Sequence, residues 1–102
     1  MFDLTGFQRD LLFVIASLSR PSGQDIKDAL ADDVGEVNHG RLYPNLDTLV
    51  ERGHVTKGTI DRRTNCYELS DSGAQLIVEH VDWQRSRARH LLESPESSGS
   101  AR

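Results

Sequence analysis

The chain holds a single cysteine, Cys66, in 102 residues. One thiol excludes an intrachain disulfide and argues against a cysteine-rich zinc site. Lysine is nearly as scarce, with only Lys27 and Lys57. No apolar run approaches the roughly 20 residues of a membrane span. The opening stretch MFDLTGFQRD lacks the basic-then-apolar order of a signal peptide. These absences predict a cytoplasmic protein without membrane association. Neither a glycine-rich phosphate loop nor a nucleophile elbow occurs. His39, His54, His80 and His90 are scattered, and none lies three or four residues from another, as a helical metal site would need. Asp32-Asp33 reads as a solvated acidic pair in a turn. The sequence therefore predicts no enzyme, no metal site and no cofactor.

Charge is unevenly spread. The formal net charge is −4. Residues 1–37 carry three basic side chains against seven acidic ones, and residues 68–102 four against six. Residues 38–67 reverse the sign, with Arg41, Arg52, Lys57, Arg62 and Arg63 against Asp47, Glu51 and Asp61. The local field, not the total, is what a phosphate backbone meets. A length of 102 residues fits one small domain with a modest core.

Apolar periodicity predicts a helix from about Thr5 to Leu18, with Phe7, Leu11, Ile15 and Leu18 as its stripe. Arg20-Pro21 closes it, since a residue before proline is pushed out of the helical region. Ser22 caps a short second helix to about Ala31, burying Ile26, Ala29 and Leu30. Asp32 to Glu36 form an acidic turn. Asn38 caps a third helix, residues 38–52, that ends at Gly53. Two β-capable runs, 55–60 and 65–69, flank the polar connector 61–65 and predict a hairpin. Ser70 opens a last helix to about Leu92. The small, polar tail 94–102 is expected to be disordered. The order is three helices, a hairpin and a helix: mostly α with a small β-hairpin. It predicts a winged helix-turn-helix over residues 1–69, followed by one C-terminal dimerisation helix over residues 70–93.

In such a fold the third helix enters the major groove by its leading end. Arg41 can take guanine and Asn45 adenine, each with two hydrogen bonds. Asn38, His39 and Tyr43 can donate to phosphates, and Gly40 permits close backbone approach. Pro44 removes one helix hydrogen bond and crowds the carbonyl of Gly40, which predicts a kinked or late-starting first turn. Ser22, Gly23 and Gln24 place backbone amides at a helix start, where an anion is favoured. At the hairpin tip, Arg62, Arg63, Thr64 and Asn65 suit a minor groove or phosphates.

The segment Gly40-Arg41-Leu42-Tyr43-Pro44-Asn45-Leu46, with Ser22-Gly23 and Ile26 before it and Glu51-Arg52-Gly53, Tyr67, Leu69, Ser70 and Gly73 after it, resembles the PadR family of transcriptional regulators. The likeness covers roughly residues 5–80. It implies a homodimeric DNA-binding repressor whose last helix makes the dimer contact, and it accounts for Pro44, which family members share. The chain departs from the pattern in three ways: Gln24 replaces the usual tyrosine, the wing loop is short, and the last helix leaves no room for a sizeable effector pocket. Any small-molecule effector is left undefined.

On the last helix, Ile77, Val81, Gln84, Ala88 and Leu91 recur at alternating steps of four and three, a heptad seam for a second copy. Leu76, His80 and Trp83 form a row beside it. The competing arrangement folds this helix back across its own domain. The sequence thus predicts a sequence-specific regulator that binds double-stranded DNA as a homodimer. The alternative is a winged-helix protein-interaction module without DNA binding. A third reading, oxidant sensing through Cys66, lacks an assured basic neighbour to activate the thiol.

Overall fold

The computed structural model describes residues 3–93. Along these residues run α1 (Gly6–Ser17), α2 (Gly23–Asp33), α3 (His39–Glu51), β1 (Val55–Thr59), β2 (Asn65–Leu69), α4 (Asp71–Arg87) and α5 (Arg89–Glu93). Side-chain caps set the four long helices. Thr5 and Gln8 satisfy each other's backbone amides at α1, as do Ser22 and Asp25 at α2. Asn38 accepts from the N–H of Arg41 at 2.9 Å, and Ser70 from that of Gly73 at 3.0 Å. Each such cap contributes about 1 kcal/mol by pairing an amide that the helix itself leaves open. Gly53 ends the turn after α3 with φ +81°, a left-handed conformation that favours glycine.

The core collects Leu11, Leu12 and Ile15 from α1, Ile26 and Leu30 from α2, and Leu42, Leu46 and Leu49 from α3. Val55 and Tyr67 of the hairpin close one side, with Leu4 and Val37 from the connecting segments. The strands pair antiparallel, Val55 opposite Leu69 and Thr59 opposite Asn65. The hairpin is also stitched to the entrance of α2. Ser22 bridges Cys66, and the Tyr67 N–H donates to the carbonyl of Pro21 at 2.9 Å. That stitch fixes the start of α2 beside the wing.

Several boundaries differ from expectation, each for a local reason. The expected turn at Asp32-Asp33 is the last turn of α2, which runs to Asp33 because nothing before Gly35 breaks it. β1 stops at Thr59, so Ile60 lies in the connector with 58 % of its surface exposed. The late start expected of α3 does not occur. Asn38 caps the helix directly and it runs unbroken through Pro44. The missing bond belongs to the carbonyl of Gly40, on an exposed edge that water can reach. The single last helix is interrupted at Ala88, so the seam residue Leu91 falls in α5. The expected disordered tail lies outside the described residues.

The first turn of α4 crosses the chain closely. A Cβ at Gly73 would collide with the carbonyl oxygen of His54 and stand 3.0 Å from its carbon. The row beside the seam is what meets α1. His80 is buried, edge-on to Phe13 at 6.4 Å and stacked on Trp83 at 5.7 Å between ring centres. Ile77 packs partly against the core. Fold-back therefore involves the Leu76–His80–Trp83 side and Ile77. The remaining seam is half covered at Val81 and Ala88, and exposed at Gln84 and Leu91.

Candidate nucleic-acid interface

Three separate elements meet at the open end of α2. Ser22, Gly23 and Gln24 from α2, Tyr43 from α3, and Arg63, Thr64, Asn65 and Tyr67 from the wing line a cavity of about 230 Å³. Seven of these eight residues are among those the sequence marks as DNA-contacting; Tyr67 is the addition. The capping box explains which donors remain available here. Ser22 Oγ takes the N–H of Asp25 at 3.0 Å, and the Asp25 carboxylate takes that of Ser22 at 2.9 Å. The N–H groups of Gly23 and Gln24, at the positive end of the helix dipole, have no helical acceptor.

Gly23 lies in close approach to the Tyr43 side chain. A Cβ there would overlap the Tyr43 hydroxyl and come within 2.7 Å of its ring. The Tyr43 ring therefore lies directly on the helix start. It meets the His39 ring nearly at right angles, 5.4 Å between centres. Tyr67 is only 1 % exposed. Burial raises its hydroxyl above the ordinary tyrosine value, and the charges of Tyr43 and Asp47 push the same way. Its hydroxyl, like that of any tyrosine at neutral pH, is a donor.

The other flank of α3 faces α1 and divides the two expected base readers. Arg41 is exposed, and its guanidinium lies over the Phe7 ring at 4.0 Å. Stacking uses the flat face of the guanidinium and leaves its N–H edges for hydrogen bonding. Asn45 is placed differently. It is half-buried, accepts from Gln8 Nε2 at 3.0 Å and donates to the carbonyl of Arg41 at 2.7 Å. Its amide ties α3 to α1 in this arrangement, using one lone pair of its oxygen and one of its two N–H donors. Gln8, at 9 % exposure, is the partner that periodicity assigned to no role. The spacing Thr5-x-x-Gln8, a capping-box signature, was the signal available for it.

Asn38 spends its side-chain oxygen on the cap, and Gly40 sits 3.3 Å, measured from its would-be Cβ, from that same oxygen. Gly40 thus answers to the cap first. His39 and Gly40 are exposed at the helix start, and Arg62 at the wing tip. Cys66 is buried at 2 % exposure, with the Arg20 guanidinium donating to its sulfur at 3.4 Å. A basic neighbour is therefore present, though the thiol is shut away from solvent. Among the described residues no group of three His, Cys, Asp or Glu side chains is placed to hold a metal. None of the described helices is long and apolar enough to cross a membrane.

Three helices with a hairpin stitched against the second make this a winged helix-turn-helix, with the leading end of α3 and the wing tip both open to solvent. The Transcriptional regulator PadR-like family matches residues 11–79, and the chain belongs to it. Among solved structures, RosR of H. salinarum is 40% identical, with TM-score 0.81 and coverage of 97% of this chain and 96% of that one. The Bacillus subtilis PadR–operator DNA complex is 24% identical with TM-score 0.67, covering 76% of this chain and 48% of that one, a likeness of fold alone. A mutant MarR from E. coli complexed with operator DNA is 26% identical, with TM-score 0.71, over 88% and 61% of the two chains. No curated protein matches.

Proposed function

We propose that the protein is a cytoplasmic, sequence-specific DNA-binding repressor that acts as a homodimer. The observation that carries this is the cavity joining α2, Tyr43 and the wing. It gathers two open helix amides, hydroxyl donors and Arg63 around a space of about 230 Å³. One backbone phosphate fits the chemistry of that donor set. With it seated, α3 enters the major groove by its leading end and the wing tip reaches the backbone or the minor groove. Arg41, its plane preset by Phe7, is the reader of guanine; His39, Asn38, Arg62 and Asn65 position the duplex. That a MarR mutant 26% identical to this chain is complexed with operator DNA supports the DNA-binding reading.

A second copy covers the half-open seam that runs from Val81 in α4 to Leu91 in α5. A dimer sets two α3 helices into successive major grooves, about 34 Å apart, on a pseudo-palindromic site. As a repressor it works by occupying that site. The test is selection of bound fragments from random DNA, then titration at two salt concentrations. A specific regulator yields one palindromic motif and an affinity that falls linearly with the logarithm of salt. Arg41→Ala is expected to cost roughly 1–3 kcal/mol and to relax preference at one base pair per half-site. Uniformly weak binding to every duplex, without a steep salt dependence, would instead favour a protein-interaction module.

A further inference from the structure

We infer that Asp61 is a positioning residue of the wing: it ties down the turn that aims Arg62 and Arg63, and so strengthens DNA binding despite its negative charge. The inference rests on the DNA-binding reading above. The connector between β1 and β2 spans only residues 60–64. Its last ladder bond runs from the N–H of Ile60 to the carbonyl of Thr64 at 2.8 Å. Beyond that bond no strand partner remains for the amides at the tip. One carboxylate oxygen, Asp61 Oδ1, accepts from the N–H of Arg63 at 2.9 Å and from that of Thr64 at 2.9 Å. Both bonds act on the backbone carrying the second arginine and the threonine beside it, two residues that line the phosphate-sized cavity.

The same two bonds favour the charged form of the carboxylate. The Arg63 amide, then the Thr64 amide, hold the Asp61 carboxyl below its ordinary value. Its charge is spent on the turn. This kind of turn, an aspartate accepting from amides two and three residues on, fixes a loop locally without help from the core. A loop so fixed carries its arginines into the complex with less ordering left to do.

Simple charge counting makes the opposite forecast. An acidic side chain beside two phosphate-seeking arginines should repel DNA, and deleting it should tighten binding. Two substitutions separate the accounts, because Asp61→Asn and Asp61→Ala remove the same charge. Only asparagine keeps an oxygen that can accept the two amides. Binding of each full-length variant to a duplex obtained by selection with the unsubstituted protein is measured by fluorescence anisotropy at two salt concentrations. Thermal unfolding is recorded alongside.

The tie predicts that Asp61→Ala binds roughly tenfold more weakly, with a flatter salt slope as arginine contacts are lost. Asp61→Asn restores binding to the original level or better. Melting temperatures stay together, since the tip is exposed. Equal affinities for the two variants, whether tighter or unchanged, overturn the inference. A third protein, Arg62→Ala with Arg63→Ala, locates the effect: adding Asp61→Ala to it should change nothing further. A second tenfold loss there would show that Asp61 acts elsewhere. If the double arginine variant binds as the original does, the wing itself makes no contact and both readings of the wing fail together, while the α3 reading stands.

Discussion

Helices α3 and α4 carry apolar stripes of similar length and meet different fates. In α3, Leu42, Leu46 and Leu49 are each fully buried, and Tyr43 and Val50 pack at the margins. In α4 only Gly73 and His80 are buried, while Val78 and Trp83 stay substantially open. One helix is finished by its own domain. The other is anchored at its first turn and left incomplete toward its end. A domain of about 100 residues has too little core to complete both. Under the proposed function, the element that reads DNA is rigid before binding, whereas the element that pairs subunits waits for its partner.

The largest test of this contrast is Leu46→Ala. A fully buried leucine at the centre of α3 should cost roughly 2–5 kcal/mol in denaturant unfolding. The loss should not depend on protein concentration. Gly73→Ala probes the anchored end of α4, where a methyl would meet backbone and not a yielding side chain. About 1–3 kcal/mol of destabilisation is expected, again at any concentration. Normal stability in that variant would mean that the first turn of α4 slides freely. Val81→Ala should behave in the contrary way. Sedimentation should show weaker dimers by about 1–2 kcal/mol, and the melting temperature should become more sensitive to concentration. A concentration-independent loss would mean that α4 is already complete in the monomer. The smallest effect is expected from Pro44→Ala, taken up below.

Much of this architecture is legible in the residues because the signals are local. Thr5, Ser22, Asn38 and Ser70 cap the four long helices as their chemistry suggests, and the strand 65–69 has the expected limits. The leading end of α3, the start of α2 and the wing tip are recognisable as donors. Their meeting at one cavity is not, because it depends on the non-local stitch between Pro21 and Tyr67. The contact between Asn45 and Gln8 was hidden for the same reason. Helical spacing puts Asn45 near Arg41, but only the approach of α1 supplies Gln8 to meet its amide. Tyr67 and Cys66 illustrate a further limit. Alternation sends them to opposite faces, yet both are buried, since the wing is covered on each side by something distant in sequence. The break at Ala88 had no sequence signal at all; alanine is a strong helix former.

Pro44 leaves the carbonyl of Gly40 without its helical donor, on the outward edge of α3. Pro44→Ala would supply that donor and is expected to raise stability by about 1 kcal/mol, read as a higher melting temperature. The same change would silence an acceptor that belongs to the main chain and that no side-chain replacement at Gly40 could remove. An amino group on cytosine or adenine is the kind of partner such an oxygen would suit. A sturdier protein with a blunter preference for its target is therefore the expected outcome, a trade of durability against discrimination located in one peptide group.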